Sequence, residues 1–424
     1  MSKKLSKDLA ISVFLLSLGA EIAWAVENQF YNDFLDETLI NLGVPSLAPI
    51  AIMLLVNIST IVGTIATIIM GSYSDVIGKR KPLLLYGFIF WAITTALFPI
   101  SALFSFLGVF TVVFTAILFD SIMTFFGATA RNASFNAYVT DVTTLQTRSK
   151  AMGIAQMTAL IGLLIVYGAL GMLIGFIGYY TFFIIVGILV GIVGLSGVYK
   201  TKEPRGLEPM NISVATHIKN TFKKKSSVDY KNFITVLLVI CSWQIALQVV
   251  FPYLLIYLKH TLGSRMFALL IFFIALLVAI VLSYPIGKIT NKLGRKKMTL
   301  ISTLCISLGF LLVGLSPDLI TLLLSGIAVF VFYTALSVST FTWVKDLYPP
   351  EGRGQFSGYW NLFSGTIPMI IGPIIGGLIS FFYGVRQIDD YGRLVLIPPD
   401  LIFFVAAILA LVTLIPLYFA KEIE

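Results

Sequence analysis

Charge is scarce in this chain. Only 12% of its 424 residues are Asp, Glu, Lys or Arg, against 58% hydrophobic, and the mean hydropathy is +0.97. So little charge cannot cover a water-soluble protein of this length, which excludes a soluble globular fold. Cysteine is scarcer still. Cys241 and Cys305 each lie inside an apolar run, which excludes a disulfide framework and a cysteine metal site. The two histidines, His217 and His260, fall outside the apolar runs. With no nucleotide loop and no nucleophile set beside a base, nothing supports an enzyme, and no cofactor or metal is expected. No polar stretch is long enough for a soluble domain, which counts against a sensor.

What the chain has in abundance is apolar runs of roughly 20 residues, each long enough to cross a bilayer. They are too long for the short alternating strands of an outer-membrane barrel. The first run follows Lys3, Lys4 and Lys7 but carries Glu21 and Glu27 and has no convincing cleavage site, so it reads as a span and not a signal peptide. Twelve spans fit, at about 9–33, 47–70, 82–99, 107–137, 149–171, 177–199, 232–257, 264–286, 298–315, 318–343, 355–380 and 399–419. The segment 200–231, with Pro204, Pro209 and the run Lys223–Lys225, is the only long polar stretch. It divides the chain into 1–199 and 232–424, and 381–398 reads as an external loop.

The net charge of +9 follows the loops. Of 29 Lys and Arg, 24 fall in segments predicted cytoplasmic, four (Lys259, Arg265, Arg386, Arg393) fall outside, and Arg131 lies within a span. This asymmetry places both termini in the cytoplasm and makes a nucleic-acid partner unnecessary.

Two short loops carry the same pattern. Gly71 to Lys81 reads GSYSDVIGKRK, and Gly287 to Lys297 reads GKITNKLGRKK, 216 residues later. A second repeat follows spans 4 and 10: Asp141, Arg148 and Gly153 recur as Asp346, Arg353 and Gly358 with an offset of 205. Gly71 allows close approach of a neighbouring helix, and Gly78 permits the tight turn. Asp75 is placed to accept from a helix N-terminus or pair with a cation. The pair of loops resembles the signature of the major facilitator superfamily of secondary transporters. That resemblance implies an all-α membrane fold of two six-helix bundles, with the solute site at their interface near the bilayer midplane. The family usually has arginine directly after the second glycine. Lys79 stands there, so bidentate pairing at that position is lost. Asn291 replaces the aspartate in the second copy. The loop residues Gly71, Asp75, Gly78, Arg80, Asp141, Arg148, Arg295, Asp346 and Arg353 are expected to gate, with Asp75, Arg80, Asp141 and Arg148 forming a charge network.

Ionisable groups inside a membrane are expensive and mark function. Four stand out: Glu21, Glu27, Asp120 and Arg131, all in the first half. Asp120 lies near the midplane of span 4, and Arg131, eleven residues on, shares its face at roughly 16 Å of axial separation. Glu21 and Glu27, six apart, cannot share a face. All four are proton-coupling candidates. Trp24, Asn28, Asn57, Trp243, Gln244, Gln248, Tyr333, Trp360 and Asn361 are the substrate-binding candidates, because amides and indoles beside aromatic faces suit hydroxyl-rich ligands. Pro252 is expected to break span 7.

A narrower resemblance rests on WAVENQFYNDF (Trp24 to Phe34) and SWQIALQVVFPYLL (Ser242 to Leu255). They look like the glycoside–pentoside–hexuronide cation symporters and the sucrose-type carriers. Sodium-coupled members place acids in span 2, where this chain has only Asn57, so the coupling ion is expected to be a proton. The expectation is a monomeric proton–sugar importer. A proton-driven drug exporter is the alternative, weakened by the lack of proline in Gly162 to Gly178. A lipid-handling or sensor role is a third reading.

Overall fold

The computed structural model describes residues 5–204, 207–223, 230–347, 358–389 and 391–422. Among them, ten helices are long and apolar enough to cross a bilayer. An eleventh crossing is bent: Lys81–Leu97 and Ile100–Leu107 meet at 43° beside Pro99. Lys150–Lys200 runs for 51 residues. At 1.5 Å per residue that is about 76 Å, far more than the roughly 30 Å of hydrocarbon in a bilayer. Gly178 leaves the helix there with φ +72°, and the segment is two spans. The count is therefore twelve, and the fold is all-α apart from one hairpin.

Several boundaries differ from the sequence reading, among them the ends of spans 2 and 8, which run on to Ile77 and Leu293 and make most of each signature stretch helical. Span 1 continues past residue 33 to Asn41, because Phe34, Leu35, Leu39 and Ile40 extend the apolar face and are buried. The polar central segment holds a helix, Val214–Lys223. The segment read as an external loop folds as an antiparallel hairpin of β1 (Val385–Ile388) and β2 (Leu394–Ile397). Asp389 closes that hairpin by accepting from the backbone N–H groups of Tyr391 at 3.0 Å and Arg393 at 2.8 Å and from Arg393 Nε at 2.9 Å. Partial burial pushes the Asp389 carboxyl up, but these bonds and the guanidinium outweigh it and hold the group below the usual aspartate range.

By contacts the chain forms two units, Met1–Thr38 with Ile58–Lys223, and Leu39–Asn57 with Lys224–Glu424. The outer ends of spans 1 and 2 thus group with the second half. In the first unit, span 1 packs on spans 5 and 6, and span 3 on spans 4 and 6. In the second, span 7 packs on spans 11 and 12, and span 9 on spans 10 and 12. Each pairing recurs six spans later. Small residues permit such contacts in a bilayer. At Gly376 a Cβ would sit 2.0 Å from the carbonyl oxygen of Val249, so only glycine fits between spans 11 and 7.

Among the described residues four spans contain π-helical turns: Val26–Tyr31 in span 1, Ala128–Phe135 in span 4, Val166–Leu170 in span 5 and Leu362–Thr366 in span 11. Such turns insert residues into the α ladder and often occur at functional sites. Pro252 breaks span 7 through the 3₁₀ turn Phe251–Tyr253.

Candidate functional site

The first unit buries two carboxylates against each other. Glu27 sits in the π turn of span 1 and Asp120 on span 4, 8% and 0% exposed. They face one another closely enough to interact, with Ser59 beside Asp120. Thr124 Oγ1 donates to Glu27 Oε1 at 3.0 Å. Glu27 Oε2 and both Asp120 oxygens are sealed from solvent. If both groups were ionised, neither could donate to the other and the two charges would repel in a poorly polarisable setting. One proton held between them turns the repulsion into a hydrogen bond.

Arg131 pairs with Glu21 and not with Asp120. It meets Glu21 at 3.8 Å and lies over the Phe135 ring at 4.4 Å. It sits in the π stretch Ala128–Phe135 and, like Asp120, faces span 1, but it lies too far along the helix to reach Asp120. Spans 1 and 4 therefore join at two rungs, Glu27 with Asp120 and Thr124, and Glu21 with Arg131. Both glutamates reach span 4, although six α-helical residues would set them about 120° apart.

The other span 1 candidates are tied to the protein. The Trp24 ring stands edge-on to Trp91 at 5.1 Å, and Asn28 Nδ2 donates to the Trp24 carbonyl at 2.8 Å. Two acids were missed. Asp33 is fully buried and accepts from Tyr179 Oη at 2.5 Å, and Asp36 is 1% exposed. Asp33 stands at the expected end of span 1 and Asp36 where the helix outruns it, and the signal was the helical spacing of Phe30, Phe34 and Leu35.

In the second unit, spans 7, 10 and 11 gather an aromatic cluster. Trp243 contacts Tyr333 at 5.8 Å and Phe341 at 6.0 Å, and Phe341 meets Trp360 edge-on at 4.5 Å. Trp243 is 1% exposed and its Nε1 has no partner. Gln244 is buried beside it. Gln248 is half-buried, with its Cβ against Gly372 of span 11. Asn361 is exposed. Asn57 lies against the carbonyls of Met369 and Ile370, and with its amide nitrogen turned to them it donates to both at 3.1 Å. Its role in the structure is to join span 2 to span 11.

The first signature loop is organised by Arg80. Nη1 contacts Asp75 Oδ1 at 2.7 Å and donates to Ser74 Oγ at 2.7 Å, and Nε donates to Asp141 Oδ2 at 2.8 Å. Arg80, one residue after Lys79, bridges two carboxylates through one nitrogen each and makes no bidentate pair. Gly78, at φ +64°, provides the turn that allows this. Arg148 stands outside the trio, donating to the Thr140 carbonyl at 2.9 Å and to Thr143 Oγ1 at 3.3 Å. Gly71 faces Ala133 of span 4.

The residue that clasps this loop was not foreseen. Glu203, beyond span 6, accepts from the backbone N–H of Arg80 and from that of Lys81 at 3.1 Å, while Lys81 Nζ donates to the Thr201 carbonyl at 2.9 Å. The second half repeats the clasp. Glu422, beyond span 12, accepts from the N–H of Arg295 and from that of Lys296 at 3.3 Å, and Lys296 Nζ donates to the Ala420 carbonyl at 2.7 Å. Gly294 turns the chain at φ +87°. Arg295 pairs with Asp346 at 3.5 Å and donates to Asn291 Oδ1 at 2.9 Å. Arg353 lies outside the described residues.

Comparison with known proteins agrees with this architecture. The chain is 26% identical over 318 residues to Multidrug resistance protein 2 of Bacillus subtilis (strain 168), covering 73% of this chain and 74% of that one. It is 30% identical over 105 residues to Multidrug resistance protein 3 of the same organism, spanning 24% of this chain and only 20% of that protein's length. Among solved structures, the nucleoside transporter NupG superposes with a TM-score of 0.71 at 16% identity, over 98% of this chain and 100% of that one. The xylose transporter XylE from E. coli gives 0.68 at 16%, over 97% and 100%. The sequence profile of the Major Facilitator Superfamily matches residues 9–269 and 233–423, and so, by profile, fold and repeated loops together, the chain belongs to that superfamily of membrane transporters.

Proposed function

We propose that this protein is a proton-coupled secondary transporter of a small hydroxyl-rich solute, a sugar or glycoside, in the cytoplasmic membrane. It works as a monomer by alternating access, with both termini in the cytoplasm. The observation that carries the coupling is the sealed Glu27–Asp120 pair. It takes up one proton when it opens to one side and gives it back when it opens to the other. Glu21 and Arg131 form a second rung that stays neutral overall. The described spans of the second unit hold no acid at depth, so coupling resides in the first unit. For the solute, Gln244 and Gln248 supply amide donors and acceptors, and Trp243, Tyr333 and Trp360 supply aromatic faces. The trios Arg80–Asp75–Asp141 and Arg295–Asn291–Asp346 act as gates whose breakage accompanies the switch.

A second reading has its own support. The likeness to Multidrug resistance protein 2 extends over about three quarters of both chains, which favours export of lipophilic drugs. Proteoliposomes separate the two. Under an inward pH gradient, uptake of a labelled sugar from a monosaccharide and disaccharide panel is expected, with no ethidium movement. Ethidium extrusion driven by the same inward proton gradient, with no sugar accumulated, would replace the first reading by the second.

A further inference from the structure

The membrane-facing surface of the second unit has a groove between the start of span 7 and the end of span 12, with a volume of about 590 Å³. That is the size of a small-molecule site, which is usually about 300–1,000 Å³. Its mouth carries two exposed lysines, Lys231 and Lys421. Its floor and walls are apolar, with Leu238 on span 7 facing Val412, Ile415 and Phe419 on span 12. Leu238 is 43% exposed and Ile415 63%, so the described residues leave these walls uncovered.

The polar atoms deeper in the groove are already used. Thr235 Oγ1 donates to the Lys231 carbonyl and Ser242 Oγ to the Leu238 carbonyl, each at 2.8 Å. The depth therefore offers an apolar surface and the mouth offers cationic donors. Lys421 is also held in place: Asn232 Nδ2 donates to its carbonyl and its N–H donates to Asn232 Oδ1, both at 2.8 Å. These bonds fix the backbone of Lys421 beside span 7, at the same groove as Lys231.

A groove that is cationic at the membrane surface and apolar one or two turns below matches an amphiphile with an anionic head. We propose that it binds one anionic phospholipid, whose phosphate lies between Lys231 and Lys421 and whose acyl chain lies along Leu238, Ile415 and Phe419. The lipid comes from the leaflet on the side of the chain termini, where a basic side chain near the surface favours anionic headgroups. The inference rests on membrane insertion and on no particular transported solute.

The test is lipid titration of the purified full chain in detergent, read by native mass spectrometry. The probes are phosphatidylglycerol, phosphatidylcholine and inorganic phosphate. Phosphatidylglycerol is expected to bind at one site with higher affinity than phosphatidylcholine. Each of Lys231→Gln and Lys421→Gln should weaken it about fivefold, since one such lysine contributes about 1 kcal/mol near a membrane surface. Both are exposed side chains, and the Asn232 bonds use only the backbone of Lys421, so the variants keep the fold. Leu238→Trp, which fills the groove, should lower binding of phosphatidylglycerol with both lysines present. Lys288→Gln with Lys292→Gln, an equal loss of charge on span 8, should leave it unchanged. The proposal is overturned if that control pair weakens binding as much as Lys231→Gln with Lys421→Gln, if phosphatidylcholine binds equally well, or if inorganic phosphate alone competes at the same concentration.

Discussion

Glu203 and Glu422 hold the same position in the two halves of the chain. Each follows the last span of its half and accepts from two consecutive backbone N–H groups at the start of the span behind a signature loop. A carboxylate there satisfies donors that a helix start leaves open and sits at the positive end of its dipole. The third span of each half is thereby fastened to the end of the sixth.

Replacing Glu203 by Ala is expected to cost about 1 kcal/mol, the usual value of a lost helix cap. Glu422→Ala should cost a similar amount. Thermal unfolding in detergent checks both. Equal melting temperatures for the wild type and both variants would show that the clasps contribute nothing.

Asp75→Ala removes one partner of Arg80 at a loop remote from the buried carboxylates. The expected outcome is slower transport with little change in solute affinity, measured by separate binding and flux assays. Lost binding with an unchanged rate of exchange would contradict a gating role.

Asp120→Asn should abolish proton-driven accumulation and leave exchange of solute down its own gradient. One proton per cycle across a one-unit pH gradient sustains at most about tenfold accumulation, and the variant should give about onefold. Glu27→Gln should behave in the same way, because the proton belongs to the pair. Full accumulation in Asp120→Asn would transfer coupling to the Glu21–Arg131 rung.

Gln244→Ala and Gln248→Ala should each weaken solute binding by about 1–2 kcal/mol, the scale of a lost hydrogen bond. Isothermal titration with the transported sugar is the measurement. Wild-type affinity in the double variant would remove this glutamine pair from the solute site.

The β1–β2 hairpin should respond to acid. The Asp389 carboxyl lies below the usual aspartate range in the folded state. Its contribution is therefore complete above the ordinary value of about 3.9 and is lost as pH falls through the lower folded value. Hydrogen exchange across 385–397 should be flat from pH 7 to 5 and accelerate, after correction for intrinsic rates, only below that range. Asp389→Asn should show the fast exchange at neutral pH.

The sequence made some features easy to read and hid others for physical reasons. The spans announce themselves because the bilayer demands long apolar runs, and the two loops because glycine, acid and base recur at fixed offsets. Glu27, Asp120, Glu21 and Arg131 stood out because charge at depth is costly. Their pairing did not, because no residue pattern in Val26–Tyr31 or Ala128–Phe135 declares a widened turn. Glu203 was illegible for another reason: its partners lie more than 120 residues earlier, and one carboxylate in a polar segment looks like any other. Asp33 and Asp36 were passed over where span 1 was taken to end.

The widened turn of span 1 has a genetic consequence. Between Val26 and Tyr31 the wide turn absorbs one residue more than ordinary winding would hold. Deleting a single codon in 26–31 would let the turn close to ordinary α winding and leave the helix on either side nearly on its present bearing. A neighbouring α turn has no such slack, and a one-residue deletion there would rotate everything on one side by about 100° relative to the other. Selection on reading-frame-preserving deletions should therefore tolerate this stretch more readily than the neighbouring turns of the same helix, and what such a deletion loses is the wide turn in which Glu27 sits.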